Sequence, residues 1–315
     1  MSNNPLMQFA RHAELSTKLS SPKSWYPEGF IQYTMNDEVE VYPMLPKDEL
    51  MLYNPDALLS GQAIINLIKS CCPSILNPEK LYFPDSNILL LAIKKATYGN
   101  DHKQTYMCPE CAKKIEKLKS PETSEKEKKE IEKMLKDRKI TDHEEEHIYE
   151  IDNLLGSISY MKDEYEINID GLTYNLRPYT LKVKEQYSLI SAQRNKLLKM
   201  YRDTLNRTED MSEDEKNTTI SQINDIQSIM IDANNKIITE GINFIKLPDE
   251  SIINDKALIK EFIDNCKSEV ITKLTNELTS INDIGLPKEV PCTCSFCNYT
   301  WNVPLSGFNQ SDFFE

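Results

Sequence analysis

Two short cysteine pairs are the residues whose types and spacing most clearly indicate chemistry in this chain. The first pair is Cys108 and Cys111, and the second is Cys294 and Cys297. In each Cys-x-x-Cys sequence a tight turn can direct two thiolates at one ion, and four thiolates complete the tetrahedral shell of zinc. Because catalytic zinc keeps one position open to water, four thiolates predict a closed structural site.

The second pair has a competing sulfur, since Cys292 stands two residues before Cys294. The spacing of Cys294 and Cys297 fits a zinc knuckle better. We expect both pairs to lie on β-turns flanked by strands, as in a zinc ribbon, because amides in such turns donate to the thiolates. Reduced, metal-free thiols or a redox motif are the alternatives. Two matched pairs are more specific than one and favour zinc.

No catalytic arrangement is evident in the sequence. It has no Gly-x-Ser-x-Gly, no phosphate loop and no dinucleotide fingerprint, and it contains only eight glycines. His143 and His147 are four residues apart, which fits a metal pair, but their acidic surroundings favour a solvated surface. The carboxylates fall in charged runs, and we expect none in an apolar setting that would shift its pKa. The prediction is that the chain is not an enzyme.

Composition narrows the class of partner and the compartment. The formal net charge of -13 over 315 residues argues against nonspecific binding to nucleic acid or to an anionic membrane. Residues 1–14 lack the apolar core of a signal peptide, and no apolar run is long enough to span a bilayer. Cysteines in Cys-x-x-Cys pairs suggest a reducing environment. We therefore expect a soluble protein made in a cytoplasm.

The elements that must position the cysteines predict an α+β fold that is mainly helical. A β-hairpin is predicted between residues 30–34 and 39–42, and a second across Asp170-Gly171. Apolar residues spaced by three, four and seven in 183–205 and 220–237 predict a long antiparallel helical hairpin. A zinc-ribbon-like four-cysteine site would then join distant segments of the chain.

Six segments are predicted from these patterns. They are an extended arm (1–24), a hairpin and helical core with the first cysteine pair (25–111), a charged helical insertion (112–146), a β-hairpin region (147–180), a helical hairpin with further helices (181–284), and the second cysteine pair with an aromatic tail (285–315).

Several short phrases occur in an order that resembles a known family. They are Asn54-Pro55-Asp56-Ala57-Leu58-Leu59-Ser60-Gly61, Ser70-Cys71-Cys72-Pro73, Asp85 before Leu89-Leu90, Ala96-Thr97-Tyr98-Gly99, Cys108-Pro109-Glu110-Cys111, the second cysteine pair with Trp301, and Phe313-Phe314. Together they resemble the baseplate hub protein family of T4-like contractile-tailed bacteriophages. The resemblance is good from about Val39 to Cys111 and weaker from Tyr165 to Arg177, and it is found again near the C-terminus. Relative to the family pattern, 113–146 looks like an insertion.

The resemblance implies a non-enzymatic part in forming the baseplate hub at the end of the tail tube. The expected partners are other baseplate and tail hub proteins, and the expected locations are the host cytoplasm during assembly and the virion. Phe313 and Phe314 are candidate partner-binding residues, because exposed aromatic side chains forfeit a burial gain of roughly 1.5–3 kcal/mol each.

A zinc-ribbon protein that binds nucleic acid or acts in transcription is the alternative function. That class needs a basic face around the ribbon. Lys113, Lys114, Lys117 and Lys119 near the first pair offer a modest one, which the overall charge opposes.

Overall fold

The structure is a computed structural model that describes residues 11–53, 61–119, 124–137, 144–186, 188–190, 199 and 213–305. Over these residues the fold is α+β, with helices and small antiparallel sheets. Within the same ranges no helix has the length and apolar character needed to cross a membrane.

The bounds of the described elements are as follows. The strands are β1 (Leu15–Thr17), β2 (Val39–Val41), β3 (Asp101–Met107), β4 (Glu144–Glu150), β5 (Glu166–Ile169), β6 (Leu172–Leu176), β7 (Ile242–Lys246), β8 (Ile252–Ile253), β9 (Glu289–Thr293) and β10 (Thr300–Pro304). The α-helices are α1 (Pro46–Leu52), α2 (Gln62–Cys71), α3 (Phe83–Tyr98), α4 (Pro109–Lys119), α5 (Glu125–Asp137), α6 (Ile151–Gly156), α7 (Glu213–Gly241), α8 (Lys256–Asn265) and α9 (Ser268–Asn282).

Strand β2 pairs with the N-terminal segment of the chain. β1 and β2 are antiparallel, with Leu15 opposite Val41. The predicted hairpin between residues 30–34 and 39–42 is therefore wrong, and Ile31 instead forms an isolated bridge with Ile75. Both valines of β2 are fully buried, so this strand lies inside the core.

The described part of the predicted arm, residues 11–24, does not extend away from the body. The carboxylate of Asp85 accepts hydrogen bonds from the backbone and hydroxyl of Ser20, both at 2.7 Å, and from the backbone of Ser21 at 3.1 Å. The Tyr26 hydroxyl donates to the same side chain at 2.6 Å. These groups are buried, so the segment is fixed inside the first core. Residues 1–10 lie outside the described ranges.

Helices α2 and α3 form most of the first core. Residues Ile88 to Ile93 of α3 are at most 4% exposed, as expected for a helix that is apolar on most sides. The helix ends before Gly99, whose φ of 94° is readily available only to glycine. Cys71 and Cys72 are fully buried in this core, so they are core thiols.

A second core lies around the four-stranded sheet β5-β6-β7-β8. Strands β5 and β6 are antiparallel on either side of Asp170-Gly171, where both residues have positive φ. Helices α8 and α9 contribute buried residues to the same core, among them Ile259 and Leu274. Helix α7 includes residues 220–237, which form the second half of the predicted helical hairpin. Its proposed partner falls mostly outside the described residues.

Strands β3 and β4 form a two-stranded antiparallel ribbon. β3 pairs antiparallel with β4 over seven residue pairs, from Asp101 opposite Glu150 to Met107 opposite Glu144. Helices α4 and α5 lie between these strands in the chain. The predicted boundary between segments 112–146 and 147–180 falls inside β4, because this strand begins at Glu144 and ends at Glu150. The end of the charged stretch therefore pairs with β3.

Candidate metal centre

The four predicted ligand thiols come together at one point. The Sγ atoms of Cys108 and Cys297 are 3.6 Å apart, and those of Cys111 and Cys294 are 3.8 Å apart. All four Sγ atoms lie within 4.8 Å of one another, and the group contains no histidine or carboxylate. Zinc–sulfur bonds of about 2.3 Å in a tetrahedron place sulfurs about 3.8 Å apart, so this spacing fits a four-coordinate zinc.

The first pair lies where a strand ends and a helix begins. β3 ends at Met107, Cys108 follows it, and α4 begins at Pro109, so Cys111 stands in the first turn of the helix. The expected β-turn between two strands is wrong for this pair. Proline is favoured at the first helical position because its missing N–H would have no partner there, and its fixed φ suits the helix.

Backbone amides surround the first thiol. The N–H groups of Cys111 and Glu110 both hydrogen-bond to the Cys108 sulfur. These amides point at the sulfur because the first turn of a helix leaves its N–H groups without carbonyl partners. A thiolate accepts such bonds, so the start of α4 is suited to hold a charged sulfur.

The second pair lies in the turn between β9 and β10. The backbone N–H of Cys294 donates to the Tyr299 carbonyl, and the N–H of Asn298 donates to the Cys294 carbonyl, both at 3.0 Å. Asn298 has a φ of 57°, a left-handed conformation that asparagine tolerates better than most residues. This pair therefore lies between two antiparallel strands, as the sequence predicts.

The thiols differ in how readily they ionise. Burial raises the pKa of Cys108 and Cys111. Burial also opposes ionisation of Cys297, but hydrogen bonds from the Tyr299 amide and the neighbouring thiols together lower its pKa. Four thiolates at this spacing would repel one another unless a cation lay between them, and a coordinated thiol is deprotonated by its metal. The donor set thus suits a soft divalent cation such as zinc.

Cys292 belongs to a different cluster. Its side chain is 2% exposed and packs with Val290 and Val303. The Tyr149 hydroxyl lies against it. Cys292 is not in the four-thiol group, so the better-spaced Cys294 is the one brought to the site.

Aromatic residues connect the cysteine cluster to the rest of the molecule. Phe296 and Trp301 pack against the thiols. Trp301 also contacts the neighbouring apolar cluster, which includes Leu91 of α3 and Ile151 of α6. The site is therefore continuous with the packed interior, and metal binding there would stabilise the approach of β10 to α3.

Buried carboxylates are the groups that sequence reasoning missed. Asp85 is fully buried, and Asp48 is 1% exposed and accepts hydrogen bonds from the Leu45 backbone and the Ser70 hydroxyl, both at 2.9 Å. Burial raises the pKa of Glu185 to about 7. The expectation that no carboxylate lies in an apolar setting that would shift its pKa is therefore wrong at Glu185, which is buried against Gly61, a residue distant in sequence.

Other predicted site residues lie elsewhere or outside the described ranges. His147 is on β4, where its ring lies 6.1 Å from that of Trp301. His143, Phe313 and Phe314 are not among the described residues.

No protein-family model, curated protein or solved structure was found to match this chain. The cysteine cluster is consequently interpreted from its own chemistry. Four sulfur ligands fill a tetrahedral shell, which leaves no position for a substrate or an activated water. Such a site can stabilise a fold by joining segments, and it offers no Lewis-acid chemistry.

Proposed function

We propose that this chain is a non-enzymatic structural or assembly protein of a phage tail baseplate hub, stabilised by structural zinc at Cys108, Cys111, Cys294 and Cys297. The observation that carries the zinc assignment is the convergence of four thiols whose facing pairs are 183 and 189 residues apart in sequence. The baseplate assignment is supported by the ordered phrases that resemble the hub family of T4-like phages.

A structural role follows from what the metal would join. The first pair is carried by β3 and α4, and the second by the β9–β10 ribbon. Structural zinc contributes an apparent ~10–16 kcal/mol in small peptides, which is comparable with the whole stability of a domain. The ion would hold together two parts of the chain whose facing thiols are 183 and 189 residues apart in sequence.

The finer architecture is part of this proposal. The β9–β10 turn and the start of α4 form a zinc-ribbon-like site. We also propose that α7 is one half of an antiparallel helical hairpin, because its apolar spacing matches that of 183–205. A long helical pair of this kind offers an extended surface for protein contacts.

The proposed partners are other baseplate and tail hub proteins, met in the host cytoplasm during assembly and retained in the virion. Phe313 and Phe314 are proposed to contact such a partner, since binding would remove two aromatic side chains from water. The acidic net charge of -13 opposes nonspecific binding to nucleic acid and to anionic membranes.

Binding of single-stranded nucleic acid is the second candidate function, and one surface favours it. Tyr299 and Trp301 are stacked, with ring centroids 6.1 Å apart and an angle of 15° between their planes. Lys113, Lys114 and Lys117 lie on α4 beside the cysteine site. Aromatic rings next to lysines are typical of surfaces on which bases stack. Glu110 opposes it, because its carboxylate is paired with Lys113 at 2.8 Å.

Metal analysis tests the zinc assignment. The full chain, purified without chelator, is expected to hold one zinc per chain by elemental mass spectrometry. Cys266→Ser is the matched control, because this half-buried cysteine lies outside the four-thiol group. A wild-type protein that carries no zinc would refute the site.

Association experiments separate the two candidate functions. Co-purification with tail hub proteins, and detection of the chain by mass spectrometry of purified phage particles, are expected for the baseplate role. A salt-dependent shift of single-stranded DNA at low micromolar protein, weakened by Tyr299→Ala, would instead establish the second candidate.

A further inference from the structure

The carboxyl group of Glu185 is buried where two helical segments meet. Its residue is 7% exposed and lies in helical residues 181–186. A Cβ atom added to Gly61 would stand 2.0 Å from the Glu185 Cδ atom. The carboxyl group therefore occupies the space directly over the backbone of Gly61, which is the residue that precedes α2 and has a φ of 67°.

The buried carboxyl lacks a compensating charge. Its Oε1 atom has no hydrogen-bond partner within the described part of the chain. The charged groups that act on it are Glu79 and Lys182, and Lys182 is already paired with Glu79 at 3.1 Å. The first turn of α2 contributes no acidic residue. Glu185 thus lies near a second carboxylate, Glu79, and the lysine that acts on it, Lys182, is already paired with that carboxylate.

The segment that carries Glu185 is anchored at its start by backbone contacts. The N–H of Leu181 donates to the Leu81 carbonyl at 2.7 Å, and Thr180 forms a β-bridge with Tyr82. Leu181 itself is buried in the first core. One helical turn later, Glu185 is the group seated against α2. Whether residues 182–186 stay against the start of α2 therefore depends on whether the buried carboxyl is tolerated.

We propose that Glu185 is a protonation-dependent latch: its neutral form keeps helical residues 182–186 docked on the start of α2, and its ionised form releases those residues from α2. A neutral carboxyl can be buried at modest cost, whereas a carboxylate without a partner is strongly disfavoured in an apolar setting.

The direction of the pH effect follows from the sign of the shift. Burial, followed by repulsion from Glu79, raises the pKa of Glu185 from 4.5 to about 7. A raised pKa means that the docked state binds the proton more tightly than the released state. Docking is therefore fully favoured below the ordinary value and is lost as the pH rises through about 7. Between pH 6 and 8 these two values give a docking equilibrium lower by about tenfold.

Hydrogen exchange measured by mass spectrometry at pH 6 and 8, corrected for intrinsic exchange rates, tests the latch. Wild-type amides at 62–65 and 182–186 are expected to lose about tenfold in protection at pH 8. Glu185→Gln, which cannot ionise, should keep its protection at both pH values. Glu261→Gln, an exposed change on α8, should follow the wild type. Equal pH dependence in wild type and Glu185→Gln, or none in either, would overturn the proposal.

A double-mutant cycle tests the contact itself. Gly61→Ala places a methyl group where the carboxyl lies and also strains a backbone with positive φ. The backbone strain is the same in wild type and in Glu185→Ala, so it cancels in the cycle. Gly61→Ala is expected to lower the unfolding midpoint much less in the Glu185→Ala background. The same loss in both backgrounds would show that Glu185 does not sit against Gly61, and the latch would be wrong.

Discussion

The two cysteine pairs have the same spacing but different local structures. Cys108 and Cys111 stand at the start of a helix, where backbone amides point at the first sulfur. Cys294 and Cys297 stand in the turn of a β-ribbon, followed by Asn298 in a left-handed conformation. The difference shows that Cys-x-x-Cys specifies the separation of two thiols, while the residues around it select the backbone that presents them.

The residue that follows each pair explains the difference. After Cys111 comes Ala112, a strong helix former, and the chain continues as α4. After Cys297 comes Asn298, which tolerates positive φ and allows the chain to turn back into β10. Pro109 adds to the contrast, because proline favours the first position of a helix. Each pair can nevertheless supply two sulfurs to one tetrahedron.

The largest expected effect is loss of the metal from either side of the site. Cys108→Ser and Cys294→Ser should each abolish zinc binding, and each should lower the free energy of unfolding by more than about 3 kcal/mol, because the ion needs all four sulfurs. Metal content and thermal unfolding measure the two effects, with Cys266→Ser as the control that keeps its zinc. Full zinc occupancy in only one of the two serine variants would show that the pairs do not form one site.

A smaller effect is expected at the residue after each pair. Asn298→Val should cost about 1–3 kcal/mol, since a β-branched side chain is disfavoured at positive φ. Ala112→Val, at the matching position of the first pair, should cost only about 0.5 kcal/mol because it remains helical. Denaturant unfolding of the zinc-loaded proteins measures both. Equal costs at the two positions would remove the proposed difference between the turns.

The smallest effects are expected at the residue before the second cysteine of each pair. Phe296 packs against the thiols and is half-buried, so Phe296→Ala should cost about 1 kcal/mol. Glu110 is also partly exposed, but its carboxylate forms only an exposed ion pair with Lys113, so Glu110→Gln should leave both stability and zinc content unchanged within error. Chelator competition and denaturant unfolding measure these effects. A Glu110→Gln variant that loses zinc faster than Phe296→Ala would reverse the ranking.

Local patterns in the sequence predict much of the secondary structure. Helix α3 ends before Gly99, because the positive φ of that residue is readily adopted only by glycine. The Asp170-Gly171 dipeptide lies between two antiparallel strands, since both residues accept positive φ. These features depend on neighbours a few residues apart, and such neighbours are visible in a sequence.

Contacts between distant segments could not be predicted in this way. The partner of β2 is β1 rather than the adjacent residues 30–34, and Ile31 pairs instead with Ile75, far along the chain. A charged residue such as Asp85 is ordinarily expected at the surface. In the structure it is buried, and its carboxylate accepts hydrogen bonds from Ser20, Ser21 and Tyr26. Residues 11–24 of the expected arm lie against the first core, and Glu185 lies where burial raises its pKa, and both depend on contacts between residues far apart in the sequence.

The sequence by itself determined which cysteines form the site. Their identity and their separation by two residues within each pair were enough to predict that four thiols would meet. Only the tertiary structure decided that one pair is presented by a helix and the other by a β-ribbon, and that Cys292 remains in the core. The physical reason is that spacing within a pair is a local property, whereas the backbone around each pair is selected by its packing against segments far away in the chain.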